Sequence, residues 1–448
     1  MNNLFSEFKS VDKESWRNKL ISDLKGKEPD ILLRRNTIEE IEYSSVVHHS
    51  ESTPIEDPGS FPFTRGSNKP NNNWWNGRCI QVDNEELANK EAINSLMTGT
   101  DLLIFNCRKV NADWTIVLED IKLDHVKIQF DRCSYDDFLR IQKETKEHIN
   151  VQYNFDLSAG ALSELELGQI IASQRTKQSR VFTANGYGIQ QAGANTWQEI
   201  SYCLSAGHEI LVKLLELGMT IDQAAACISF KLGVGSDYIL ETAKFRALKS
   251  LWSALIAVYE PKHNCTHNCS ITAVIGLSNK SLKDPYTNLL RQTTECMSAI
   301  NASIESILVL PYDTNSTNGP SDLAKRMASN LSLILKEEVY LDKVIDPLGG
   351  SYSIEKLTQI LKEKAWKRFL EMEKSGGINI SETWSVLKRE IEQVRMKRIE
   401  LLKNKDHVLI GVNAYQGENS GLEFDKAKVD SYREMPFLVL ENELEINE

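Results

Sequence analysis

Val181-Phe182-Thr183-Ala184-Asn185-Gly186-Tyr187-Gly188-Ile189-Gln190-Gln191-Ala192-Gly193-Ala194 opens as a short apolar run and breaks into glycines. The run has the length and composition of a strand, and from Trp197 to Leu217 apolar residues recur at helical spacing. Strand, connection and helix make one βα unit, and the unit repeats. Further candidate strands are Cys79–Val82, Leu102–Asn106, Val126–Phe130, Gln152–Leu157, Cys227–Leu232, Ile271–Gly276 and Ser306–Leu310. Helical periodicity runs through Asn84–Met97, Tyr135–Lys146, Tyr238–Tyr259, Tyr286–Ala302 and Asp322–Glu338. Eight alternations predict a parallel sheet with right-handed crossovers. Eight strands also close a ring, so the expected fold class is α/β, a (β/α)8 TIM barrel. An open doubly wound sheet is the alternative that the same pattern allows.

Outward from the repeats lie two flanks. Residues 1–56 read as an N-terminal arm. Asp12 is placed to cap a helix, and Trp16, Leu20 and Leu24 recur at four-residue spacing. One short helix cannot bury that stripe alone, so it needs the body or a partner. Asp57-Pro58-Gly59 marks a turn, Ser67 to Asn73 a polar loop, and the barrel is expected over 57–375. Residues 376–448 read as a C-terminal helical linker and acidic tail. Gly376-Gly377 separates the helical stretch Glu355–Lys374 from a helix at about Ser381–Lys403, with Trp384, Leu387, Ile391 and Val394 at a three-four spacing. After Val408–Val412 the chain turns polar and closes on Glu441-Asn442-Glu443-Leu444-Glu445.

Composition excludes several classes. The 448 residues exceed one ordinary hydrophobic core. A net charge of −11 argues against a nucleic-acid surface. No apolar run is long enough to span a bilayer, and Met1 to Lys27 does not read as a signal peptide. Eight dispersed cysteines suit reduced, buried thiols, so a cytoplasmic setting is expected, bacterial or organellar.

The strand ends bring Cys107, Asp131, Asp156, Tyr187, Gly188, Lys231 and Asp313 to the face where barrel enzymes work. Asp131 and Asp156 as acid and base, near Lys231, would make an independent barrel enzyme; ordinary strand–loop polarity is the favoured account of them. His263, Cys265, His267 and Cys269 alternate soft ligands. Four same-face residues of one extended segment span too much length to converge on one ion without a sharp bend, so no metal site is expected. Gly233-Val234-Gly235 lacks the spacing of a dinucleotide fingerprint and reads as a tight strand-to-helix connection, with Ser236 and Asp237 placed to cap the helix.

The Gly186–Ala194 segment closely resembles the Gly-Tyr-His-Met-Gln-Glu-Ala-Gly-Ala motif of methylmalonyl-CoA mutases. Other blocks resemble the same family in order. They are Leu4-Phe5-Ser6-Glu7-Phe8 with Asp23-Leu24-Lys25-Gly26, Pro58 to Gly66, Glu241 to Ala247 with Leu251-Trp252, Asp284 to Asn288, Ile345 to Tyr352, and Ile410-Gly411-Val412-Asn413. The resemblance implies a mutase barrel using adenosylcobalamin. The departures imply which subunit. In the family the histidine lies beside the substrate thioester carbonyl; here Gly188 replaces it. Catalytic chains carry an Arg-Pro-Trp-Thr-Ile-Arg-Gln run where this chain has Asn71, Asn72, Asn73, Trp74 and Trp75. Their long insertion of CoA and substrate contacts is replaced by the short Ala159–Ser179. Their flavodoxin-like domain with Asp-x-His-x-x-Gly has no counterpart, since Asp406-His407 is wrongly spaced.

The resemblance therefore implies a small, non-catalytic subunit of a heterodimer, without catalytic residues of its own and with no complete cobalamin-binding domain. Tyr187, Gly188, Gln190 and Gln191 would be a vestigial active-site motif. Adenosylcobalamin would be bound by the large subunit, which interconverts (R)-methylmalonyl-CoA and succinyl-CoA. Phe5, Phe8, Trp16, Leu20 and Leu24 would face that partner.

Overall fold

The computed structural model describes residues 11–25, 33–44, 46–51, 55–67, 69–107, 111–145, 148, 150–160, 162–174, 179–417 and 429–444. Its centre is a parallel barrel. We number its strands β1 (Trp75–Gln81), β2 (Leu102–Asn106), β3 (Lys127–Asp131), β4 (Val151–Asn154), β5 (Phe182–Asn185), β6 (Ile228–Val234), β7 (Ile271–Ile275) and β8 (Ser306–Leu308). They are bonded in the order β4-β3-β2-β1-β8-β7-β6-β5. A parallel bridge between Phe155 and Phe182 joins the two ends, with Tyr153 N donating to Arg180 O and Thr183 N to Phe155 O, both at 2.9 Å. The sheet is thus closed, and all eight strands fall where the apolar runs placed them.

Helices follow the strands: α1 (Lys13–Asp23) in the N-terminal flank, then α2 (Glu85–Met97), α3 (Trp114–Val117), α4 (Tyr135–Glu144), α5 (Glu164–Gln174), α6 (Gly186–Gln191), α7 (Thr196–Glu216), α8 (Ile221–Ala226), α9 (Tyr238–Ala257), α10 (Thr287–Asn301) and α11 (Asp322–Glu337). Two long helices, α12 (Tyr352–Lys374) and α13 (Ser381–Lys403), trail the barrel. Asn195 begins α7 with a reciprocal capping box to Gln198, and Asp237 accepts from Leu240 N at the start of α9, so local chemistry sets where these two helices begin. The short α3, α6 and α8, helix α5 and an antiparallel hairpin, Leu33–Asn36 with Ile41–Ser44, were not expected from the sequence.

Outside the strands the core is aromatic. Phe105, Phe130 and Tyr153 are register partners on β2, β3 and β4 and stack at centroid spacings of 5.8 and 5.6 Å. Trp114 and Phe138 close on them edge-on from α3 and α4.

Three blocks far apart in sequence meet in one buried ion cluster. Asp346, fully buried, accepts from Arg65 at 3.0 Å and from Arg246, which also reaches Glu355 at 2.5 Å. Thr64-Arg65-Gly66, the Glu241–Ala247 helix and the Ile345–Gly350 turn are therefore tied together structurally. Breaking such a cluster would strand a buried charge, at about 3–5 kcal/mol.

The lumen is unlike the stacked aliphatic layers of a common barrel. One half is apolar: Leu102, Ile104, Val274 and Leu308. The other is a hydrogen-bonded net. Gln129 donates to Gln152 and Thr272, both at 3.3 Å, and Gln152 to Ser229 at 3.1 Å and Asn154 at 2.8 Å. The two glutamine side chains fill the axis at mid-height.

Candidate functional site

The carboxyl ends of the strands surround a cavity of about 650 Å3. Over it lies a segment read in the sequence as part of an acidic tail. Residues 429–444 instead return to the barrel mouth. Tyr432, Met435, Leu438, Val439, Leu440 and Glu441 are all buried. Backbone bonds fix the path: Leu438 N donates to Gln191 O at 2.6 Å and Leu440 N to Ser278 O at 2.8 Å. Glu441 accepts from Ser281 Oγ and Leu282 N at 2.8 Å and from Lys283 N at 3.0 Å. A carboxylate so satisfied is a docking plug. The run Met435-Pro436-Phe437-Leu438-Val439-Leu440 draws the segment inward, because burial of its apolar side chains outweighs the neighbouring charges.

Tyr432 is the buried residue of this segment that reaches Asp156 and Tyr202. Its hydroxyl donates to Asp156 Oδ2 at 2.6 Å and lies 2.6 Å from the Tyr202 hydroxyl. Burial pushes the Asp156 carboxyl above its ordinary range, against the bond from Tyr432. Burial, then the charge of Asp156, raises the Tyr432 phenol. Asp156 is therefore an anchor for the C-terminal segment, and not a partner of Asp131.

Gly188 sits in α6, whose first turn is capped by Asn185 accepting from Gly188 N at 3.2 Å. A Cβ on Gly188 would lie 2.3 Å from Tyr432 Cγ. The glycine admits the tyrosine ring; its dihedrals are helical, so conformational freedom is not what selects it. Gln190 and Gln191 pack against glycines in the same way. A Cβ at Gly233 would meet Gln190 Oε1 at 2.3 Å, so Gly233-Val234-Gly235 makes room for a side chain rather than only tightening a connection. Gln191, wholly buried, accepts from Leu277 N at 2.9 Å. Tyr187 meets Phe437 edge-on at 5.9 Å, and burial raises its phenol. Tyr187, Gly188 and Gln191 thus gather against the C-terminal segment, with Gln190 bonded to Gln191 behind them.

Of the alternative acid–base set, Asp131 and Lys231 meet: Lys231 Nζ donates to Asp131 at 2.5 Å, and Asn154 Nδ2 to its other oxygen. Asp313 instead accepts from Ser321 N, and Cys107 is buried. The alternating His263–Cys269 stretch forms a short 3-10 turn, Asn264–His267. His267 is buried against Phe63 while Cys265 is exposed. Among the described residues no three His, Cys, Asp or Glu side chains are grouped to hold a metal ion.

At the other flank, Asp12 caps α1 by accepting from Ser15 N at 2.7 Å. Trp16, Leu20 and Leu24 are half-buried; Phe5 and Phe8 lie outside the described residues. The polar ties of the α1 region run to nearby sequence, Lys13 to Glu51 at 2.8 Å and Val11 O to His48 at 3.3 Å. No helix among the described residues is long and apolar enough to cross a membrane.

The family model for methylmalonyl-CoA mutase matches residues 166–436. The methylmalonyl-CoA mutase small subunit of Porphyromonas gingivalis is 33% identical, over 92% of this chain and 71% of that protein. That of Propionibacterium freudenreichii subsp. shermanii is 26% identical, over 92% and 70%. Methylmalonyl-CoA mutase of Rhizobium meliloti is 34% identical over 55% of this chain and 35% of that protein.

Proposed function

The chain belongs to the methylmalonyl-CoA mutase family, and we propose that it is the small, non-catalytic subunit of a heterodimeric mutase. The assembled enzyme interconverts (R)-methylmalonyl-CoA and succinyl-CoA, and the large subunit binds adenosylcobalamin and performs the chemistry. The observation that carries this reading is the pair Gly188 and Tyr432. Where the family resemblance expects a histidine beside the thioester carbonyl, this chain has no side chain, and a tyrosine from its own C-terminal segment stands there.

Adenosylcobalamin would supply the radical that starts the rearrangement. The residues at this mouth do not fit it: residues 429–444 cover the strand ends that a flat cofactor would have to face, and Gln129 and Gln152 fill the axis beneath. We take residues 1–56 as a partner-wrapping arm, 57–375 as the barrel and 376–448 as a trailing helical part whose last segment caps the mouth. Trp16, Leu20 and Leu24, with Phe5 and Phe8, form the partner contact. A cytoplasmic location accords with the free cysteines.

The test is the isolated chain against the reconstituted pair. Alone, it is expected to show no adenosylcobalamin absorbance after gel filtration and no turnover. Mixed with an intact Gly-Tyr-His chain from the same source, it should form an equimolar, active complex. Saturable cobalamin binding by the isolated chain at micromolar concentration would overturn the reading.

A further inference from the structure

The cavity of about 650 Å3 beneath residues 429–444 has the size of a small-molecule site, and its wall has two halves. Val274, Leu308, Leu310 and Phe437 are apolar; Asp131 and Lys231 face them across the mouth. Asp131 already accepts from both Lys231 and Asn154, and Asp156 from Tyr432 and Ser158 N. Each carboxylate is thus already hydrogen-bonded within the protein, and an added amine would share it with those donors. Lys231, 15% exposed, makes one named bond among the described residues, to Asp131, although an ammonium carries three protons to donate. The unspent capacity at this wall is a donor.

Charge narrows the ligand further. Arg132, Lys231 and Arg433 on this wall nearly balance Asp131, Asp156, Asp430 and Glu441, so a ligand bringing a full charge of either sign would leave that charge uncompensated in a partly buried chamber. A neutral acceptor on an apolar body avoids that cost. We propose that this cavity binds a small uncharged carbonyl compound, its oxygen accepting from Lys231 Nζ and its carbon body lying against Val274, Leu308 and Phe437. The site belongs to this chain alone and does not depend on a large subunit.

Cyclohexanone, titrated into the isolated chain by ligand-observed NMR and calorimetry, is the probe. Saturable binding with Kd of order 1 mM is expected, with cyclohexanecarboxylate and cyclohexylamine at least about tenfold weaker. Leu308→Trp, which fills the apolar half, should abolish it. Lys231→Met should weaken it about tenfold, the loss of one charge-assisted hydrogen bond. Circular dichroism checks both folds; if Lys231→Met does not fold, Leu308→Trp and the matched ions decide. Absence of saturable ketone binding, undiminished affinity in either folded variant, or tighter binding of the carboxylate would overturn the assignment.

Discussion

The two flanks of the barrel carry similar sequence material to opposite ends. Both contain large apolar groups among charges, Trp16, Leu20 and Leu24 in one, Tyr432, Phe437, Leu438 and Leu440 in the other. The C-terminal segment spends its apolar surface inside the molecule, with Tyr432 bonded to Asp156 and Tyr202 and its tip fixed through Glu441. Helix α1 leaves its stripe half-exposed, tied by Lys13 and Val11 to residues 48–51. Composition does not decide which flank folds inward; a matching receptor does. The mouth offers a glycine at 188, an orphan-prone carboxylate at 156 and backbone donors at 282 and 283. The named polar ties of α1 reach residues 48–51, and the proposal is that another chain covers the rest of its stripe.

Deleting residues 429–444 should break the contrast most severely. It uncovers several buried apolar groups at about 2 kcal/mol or more each, and chemical denaturation should show a loss of ~4 kcal/mol or more. An unchanged midpoint would mean that the segment is an ornament. Next is Gly188→His, which puts a ring into the space of Tyr432. Overpacking of this kind costs about 1–3 kcal/mol, and thermal melts should show it, with no gain of turnover. Pairing it with Tyr432→Ala should recover part of the loss, a coupling readable by a double-mutant cycle. Additive effects would show that the two positions do not meet.

On the other flank, Trp16→Ala should leave the melting temperature of the isolated chain unaltered and weaken association with the large subunit by about 2 kcal/mol, as at an aromatic hot spot. Sedimentation with the partner measures it; a destabilised monomer with normal association would place α1 on its own barrel. The smallest effect is in pH. Asp156 has a carboxyl pKa raised by burial, so it binds a proton more readily folded than unfolded. Its contribution favours the folded state at low pH and fades as pH rises from the ordinary carboxylate value through the raised one. Asp156→Asn should flatten that part of the stability profile, by comparison of denaturation midpoints from about pH 4 upward. A profile identical to that of the parent would deny Asp156 this role.

The barrel was legible because eight short apolar runs alternated with helical periodicity, and caps such as Asp12 and Asp237 marked helix starts. The motif from Asn185 to Ala194 was equally legible as a frame. Its meaning was not, because Gly188 is explained by Tyr432, 244 positions away. Gly233 likewise answers to Gln190, and Asp346 to Arg65 and Arg246. Close approach between distant segments leaves no periodic trace. A local signal for the C-terminal segment did exist in Met435 to Leu440, an apolar run of six that the acidic residues on either side obscured. Asp156 was recognised as a strand-end carboxylate, but its partner could be found only in three dimensions.

The central claim is that one of two related barrels in the mutase works and the other, plugged by its own chain, does not. Cobalamin stoichiometry tests it most directly. The reconstituted heterodimer, saturated with adenosylcobalamin and freed of excess by gel filtration, should contain one cobalt per pair of chains, all of it retained when this subunit carries Gly188→His. Two cobalts per pair, or loss of cobalt on altering residue 188 alone, would contradict the account.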